Sequence, residues 1–320
     1  MKIACAKLRS ATALAGVVFA RRAKTIAATM RAEFLPASLI PVAAGSLLGA
    51  RQTGHMDWGL FGWTAAGVAL LHTSANVAND YFDHRSGNDA INTDFVRPFT
   101  GGSRTVQAGL ISPAGLLTLA LICAVLSLGP ALYLAARVGP WVLALGAFGA
   151  ASGWFYTAPP LRLTSRGLGE TTIAVDFGIL PVVGAYCVQT GRWSWLPVWV
   201  SLPLALLIVA VLFVNQFPDV KADEAVGKRN WVVRLGRRRA ARVYALLMAA
   251  WPLALIGAVW AGGAPKMVLL ALAGIPVGIA AARAVFRNRD TPPAMAGACA
   301  MTVSLHAGVG VLMCVGLMLS

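Results

Sequence analysis

Apolar residues run along this chain in blocks of roughly twenty, and charged residues fall mostly between the blocks. The blocks lie near 33–50, 58–82, 113–136, 138–157, 171–190, 195–217, 240–262, 265–285 and 295–319. At 1.5 Å per residue, a helix of about 20 residues crosses a hydrocarbon core of about 30 Å. Short alternating segments of the kind a closed barrel needs are missing. The pattern predicts an all-α integral membrane bundle of about nine transmembrane helices. Turn compositions split neighbouring blocks, at Arg137-Val138-Gly139-Pro140 and at Thr190-Gly191-Arg192. The first 32 residues differ. Lys2, Lys7, Arg9, Arg21, Arg22, Lys24 and Arg31 flank a short apolar stretch at 11–20, which reads as a segment lying in the membrane interface. The expected organisation is that basic segment over 1–32 and one nine-helix domain over 33–320.

Composition agrees: 58% of the 320 residues are hydrophobic and 12% charged, whereas a soluble domain is nearer a quarter charged. The net charge of +15 is not carried by a soluble basic module, so nucleic acid is not an expected partner. It follows topology instead. Only Arg51, Arg137, Arg192 and Lys266, four of 27 basic residues, fall in the loops of one side, which leaves 23 for the other. The positive-inside rule makes the crowded side cytoplasmic. With an odd number of spans the N-terminus is then cytoplasmic and Ser320 is outside. The five cysteines lie scattered in or near apolar blocks, with neither metal-ligand nor disulfide spacing.

Acidic residues crowd the same side, although they barely influence topology. Asn79-Asp80-Tyr81-Phe82-Asp83 closes the second block, and Asn215-Gln216-Phe217-Pro218-Asp219 closes the sixth. At about 100° per residue, Asn76, Asn79, Asp80 and Asp83 share an arc of roughly 100°. Asn215, Asp219 and Asp223 form a stripe at i, i+4 and i+8. Carboxylate and amide oxygens on such faces suit Mg²⁺, which takes one or two carboxylates and completes its shell with substrate phosphate and water. Pro218 removes a helical hydrogen bond and frees a carbonyl. Basic residues cluster nearby. Arg97 and Arg104 flank Thr100-Gly101-Gly102-Ser103, while Lys221, Lys228 and Arg229 follow the second motif, in positions to hold diphosphate oxygens. Tyr156 and Arg162, in Tyr156-Thr157-Ala158-Pro159-Pro160-Leu161-Arg162, are expected at the same cavity mouth. Asp176, one turn into the fifth block, could orient a second substrate or take its proton.

These residues resemble the UbiA superfamily of intramembrane prenyltransferases over nearly all of the chain past residue 30. The resemblance rests on the two Asp-rich motifs, the Tyr-x-x-Pro-Pro loop with Arg162, and a Gly-Lys-Arg segment leading to Val232-Val233-Arg234-Leu235-Gly236. Asn79-Asp80-Tyr81-x-Asp83-x-x-x-Gly87-x-Asp89 is most similar to the 1,4-dihydroxy-2-naphthoate polyprenyltransferases of menaquinone synthesis. The second motif departs from the Asn-Asn-x-Arg-Asp usual there. The resemblance implies transfer of a polyprenyl group from an allylic diphosphate to an aromatic acceptor in a bacterial-type inner membrane. It implies Mg²⁺ held by Asn79, Asp83, Asp219 and Asp223, with Asn76, Asp80 and Asn215 close by, and Asp80, Tyr156 and Asp176 as catalytic positions. Other aromatic acceptors, or a terpene cyclase, share the ionisation chemistry. A transporter would carry its carboxylates nearer the midplane, at broken helices.

Overall fold

The computed structural model describes residues 25–320. The part of the expected interfacial segment before residue 25 lies outside them. Among the described residues there is no strand. The long helices are α1 (Ala32–Thr53), α2 (Trp58–Ser86), α3 (Pro113–Val138), α4 (Trp141–Phe155), α5 (Gly169–Thr190), α6 (Leu196–Ala225), α7 (Trp231–Trp260), α8 (Lys266–Asn288) and α9 (Pro292–Met318). Seven of these are long and apolar enough to cross a membrane. The other two are α2, whose last turns carry the first acidic motif, and α4, which is only 15 residues long. The protein is an integral membrane helical bundle, although length and apolarity alone mark fewer than nine spans.

Local chemistry sets the helix ends. Asp57 caps α2 by accepting the Leu60 N–H at 2.9 Å, and Ser112 caps α3 by accepting that of Gly115 at 3.1 Å. Gly87 ends α2 at φ 81°, a left-handed turn that glycine adopts without strain. Two boundaries differ from the apolar pattern. The sixth block reads as ending near 217, yet α6 continues to Ala225. The seventh reads as starting near 240, yet α7 begins at Trp231, where Asn230 accepts the Val233 N–H at 3.0 Å. Both extensions are polar turns with partners at the end of the bundle that carries the acidic motifs. Gly236, at φ 72° and ψ 152°, then breaks α7 before its basic run.

α6 is the central helix. About 67% of its apolar window is buried inside the protein, against 28% for α3 and for α8, which leave most of theirs to lipid. Leu207, Phe213 and Phe217 on α6 are fully buried in one core with Tyr244 and Trp251 of α7. α1 packs tightly on α5, where a Cβ at Gly45 would sit 2.1 Å from the Val182 carbonyl oxygen. Small residues allow such close packing when lipid offers no hydrophobic push. Trp58, Trp193, Trp195 and Trp260 are largely exposed at the end of the bundle away from the acidic motifs, as an interfacial aromatic belt requires.

Candidate active site

The acidic ends of α2 and α6 meet across a polar cavity of about 200 Å³. On α2, Asn76, Asn79 and Asp83 line it; on α6, Asn215, Asp219 and Asp223 do. The two faces are bridged directly. Lys228 Nζ donates to both Asp83 oxygens, at 3.0 and 3.2 Å, and lies 3.7 Å from Asp223 Oδ1. A helical turn after Gly87, Asn88–Ile91, supplies further bridges. Asn88 Nδ2 donates to Asp223 Oδ1 at 2.8 Å, and Asn92 Nδ2 donates to Asp219 Oδ1 at 2.8 Å. Asn230 Nδ2 donates to the other Asp223 oxygen at 2.7 Å. Pro218 cannot donate back along α6, and the free Val214 carbonyl accepts Cys299 Sγ at 3.9 Å.

Asp80 lies elsewhere. It sits at the edge of the helical arc, is 3% exposed, and does not line the cavity. Its Oδ2 accepts the Ser103 N–H at 2.9 Å. A Cβ on Gly102, at φ 67°, would come within 2.8 Å of Asp80 Oδ1. The carboxylate therefore moulds the glycine loop, and Thr100, Gly101 and Gly102 reach the cavity in its place. Arg97 is spent on the same loop, and Arg104 on the neighbouring Asn88–Ile91 turn. Arg97 donates to the Gly102 and Ser103 carbonyls, each at 3.0 Å, and Arg104 donates to Asp89 O at 2.7 Å while lying over the Phe95 ring.

Three other basic candidates also point away from the cavity. Arg162 and Arg229 are exposed. Lys221 is 73% exposed and pairs with Asp94 at 2.8 Å. Such a surface pair is worth about 0–1 kcal/mol. Of the six basic residues expected to hold diphosphate, only Lys228 lines the cavity. Its basic companion is Arg31, left by the sequence reading in the interfacial segment. Asn88, Asn92 and Asn230 also escaped that reading. Their signal was weak but present: two amides four residues apart just past Gly87, and one beside the Gly-Lys-Arg segment.

Tyr156, at the end of α4, lines the cavity. So does Asp176, on a π-helical turn of α5, Ala174–Ile179, whose widened geometry turns the side chain inward. Asp176 Oδ1 is buried without a hydrogen-bond partner. Asp176, Phe177, Ala75 and Gly153 also line a second cavity of about 630 Å³ that is almost wholly apolar. It lies between α2, α3, α4 and α5, and its polar exceptions include Ser38 and His72, hydrogen-bonded to each other.

Charge is concentrated at the mouth. Burial, then the neighbouring charges of Asp83 and Asp80, push the Asp89 carboxyl up to about 7, against the pull of Lys228 and Arg104. Burial alone would lower the Lys228 pKa, but Asp83 and Asp223 outweigh it and hold the ammonium well above its usual value. Among the described residues, no three carboxylate, histidine or cysteine side chains converge as a ready-made metal site. The donors nevertheless fit a hard divalent ion. They are all oxygens, Asn215 Oδ1 is buried and unpartnered, and a lysine ammonium already lies between two opposed carboxylates.

Fold and site together define a membrane-embedded helical protein with an acidic, amide-rich cavity that shares part of its wall with an apolar chamber. The chain belongs to the UbiA prenyltransferase family, whose model matches residues 38–306, and is an aromatic prenyltransferase of that family. A 2-carboxy-1,4-naphthoquinone phytyltransferase of Synechocystis is 28% identical over 290 residues, 90% of this chain and 91% of its own. A 1,4-dihydroxy-2-naphthoate octaprenyltransferase of Mycobacterium tuberculosis is 32% identical over 68% of this chain and 72% of its own. The structure of a UbiA homologue from Archaeoglobus fulgidus bound to GPP and Mg²⁺ superposes with a TM-score of 0.61 at 16% identity, covering 90% of this chain and 99% of that one.

Proposed function

We propose that this protein transfers a polyprenyl group from an allylic diphosphate to 1,4-dihydroxy-2-naphthoate, with Mg²⁺, as a step of menaquinone synthesis. One observation carries the reading: two amide-carboxylate helix faces oppose each other at the end of an apolar chamber. The naphthoate and naphthoquinone substrates named for the Synechocystis and Mycobacterium relatives support the acceptor class. The GPP and Mg²⁺ of the Archaeoglobus homologue support the donor and the metal.

Asn79, Asp83, Asp219 and Asp223, with Asn76 and Asn215, are the residues to hold Mg²⁺. Bound there, the ion would neutralise charge on the departing diphosphate. Lys228 and Arg31 line the same cavity and add charge-assisted hydrogen bonds to the diphosphate oxygens. The allylic C–O bond breaks, its electron pair leaves with the diphosphate, and an allylic cation remains. The apolar chamber accommodates the isoprenoid tail and keeps water from that cation. The Tyr156 ring lies where it can stabilise the cation through its π face. A ring carbon of the acceptor attacks, forming the new C–C bond. The ring then regains aromaticity by losing CO₂ where that carbon bears a carboxylate, or a proton where it does not. Asp176, between the two cavities with a free oxygen, is positioned to orient an acceptor hydroxyl. The cavity faces the cytoplasm of a bacterial-type inner membrane, on the side holding most of the Lys and Arg.

Purified protein incubated with Mg²⁺, prenyl diphosphates of several lengths and a panel of phenolic acids tests the reading by mass spectrometry. A demethylmenaquinol-type product from dihydroxynaphthoate is expected. Prenylation of another phenolic acid alone would overturn the acceptor, and cyclised prenyl products without an acceptor would overturn the reaction.

A further inference from the structure

Lys228 stands where positive charge is most needed. Asp83, Asp89, Asp176, Asp219 and Asp223 all line the polar cavity, faced among the described residues by two cations, Arg31 and Lys228. Asp223 has amide donors in Asn88 and Asn230, and Asp219 has Asn92. Among the described residues, Asp83 accepts side-chain hydrogen bonds from Lys228 alone. The Lys228 side chain is only 16% exposed, and its ammonium ties the α2 motif to the α6 motif. These carboxylate oxygens are the ones that the functional reading gives to the metal.

We infer that Lys228 is the resident cation of the metal site, filling the gap between Asp83 and Asp223 until a diphosphate draws it away, so that divalent metal binds weakly alone and tightly together with diphosphate. The inference rests on the reading of this cavity as a metal and diphosphate site. Its physical basis is competition. A carboxylate oxygen that accepts a hydrogen bond from an ammonium has less lone-pair density left for a divalent ion, and the ammonium's charge repels that ion at close range. With the ammonium still in place, an arriving metal meets like charge in a poorly solvated cavity. A diphosphate changes that balance, because its oxygens offer the ammonium a new partner and release the carboxylates.

The local geometry suits such an exchange. The Lys228 backbone N–H donates to the Asp223 carbonyl at 2.7 Å, in the short connection between α6 and α7. The main chain is therefore anchored, and only the four-carbon stem has to swing. Lysine, a compact charge on a flexible stem, fits this role better than the rigid fork of arginine. The exchange also works in reverse: when diphosphate and metal leave, the ammonium returns and keeps the two motifs from repelling each other.

Mn²⁺ binding, followed by electron paramagnetic resonance on detergent-purified protein, tests this without turnover. The probe is Mn²⁺ alone, then Mn²⁺ with methylenediphosphonate, analysed against the complex these two form in solution. Wild type should bind Mn²⁺ at least about tenfold more tightly with the diphosphonate, within the usual range of coupling between sites. Lys228→Met and Lys228→Gln should bind Mn²⁺ alone about tenfold more tightly than wild type and lose most of that coupling. In EDTA both should melt at a lower temperature than wild type, with Mn²⁺ alone restoring it, while Lys228→Arg should keep wild-type melting. Equal or weaker Mn²⁺ binding by the neutral variants would overturn the inference. If neither variant folds, the wild type still decides, because absence of coupling overturns the inference as well. Failure of wild type to bind Mn²⁺ under either condition would instead count against the functional reading of the site.

Discussion

The residues at the cavity fall into those that face its interior and those that hold the facing ones. Asp83 and Asp219 face inward from opposite helices. Asp83→Ala or Asp219→Ala should each cut turnover by at least about a hundredfold, the scale on which lost transition-state charge stabilisation is measured. Circular dichroism and gel filtration should show an intact bundle; ordinary turnover in either variant would remove that residue from the proposed metal site. Asp80→Asn should act differently. Its carboxylate anchors the Ser103 amide, so the variant should lower the melting temperature and disorder the glycine loop, seen as faster hydrogen exchange over residues 99–105. Arg31→Ala should raise the donor KM about tenfold, whereas Arg162→Ala, exposed and off the cavity, should leave it near wild type. Equal effects of the two would contradict the geometry. Helical spacing read from the chain gathers Asn76, Asn79, Asp83 and the α6 stripe correctly onto one cavity. The same spacing cannot tell which side of a 100° arc meets a loop and which meets a void, and so it includes Asp80. It is also blind to arginines that turn back to satisfy nearby main-chain carbonyls, as Arg97 does in its own loop and Arg104 does at Asp89 in the preceding turn.

Among the elements, the turn Asn88–Ile91 does more than its length suggests. Through Asn88 and Asn92 it clasps the end of α2 to that of α6. Each amide-carboxylate bond is charge-assisted and of the class worth about 1.5–3 kcal/mol. The double variant N88A/N92A should therefore lower thermal stability measurably while also weakening metal binding; loss of neither would show that Lys228 alone suffices as the clasp. The helices themselves were largely legible, because about twenty apolar residues in a row have few alternatives in a bilayer. Their polar ends were not. The last two turns of α6 and the first of α7 carry Asp, Glu, Lys and Arg, and the hydropathy pattern gives no reason to continue a helix there. Tertiary partners supply that reason: the end of α6 is held by Asn88 and Asn92, more than a hundred positions away in the chain, and the start of α7 by the Glu170 carboxylate, which accepts the Trp231 N–H.

For the molecule as a whole, the predictions concern orientation and metal dependence. In a cysteine-free background, R229C should be labelled by a membrane-impermeant maleimide only after the cells are opened, and W193C before; the reverse would invert the topology. EDTA should abolish turnover, and Mg²⁺ should restore it. The wall that α4 contributes carries a different lesson. No residue of α4 is buried in the packed core, yet Gly146 and Gly149 line the larger cavity with open space where a side chain would go. If the chamber holds the isoprenoid, as proposed, a leucine or phenylalanine there would intrude on it, while the open space at both glycines spares the packing of the bundle. On the proposed function, tail-length preference is thus free to drift by single substitutions on one short helix, insulated from both the chemistry and the folding of the rest.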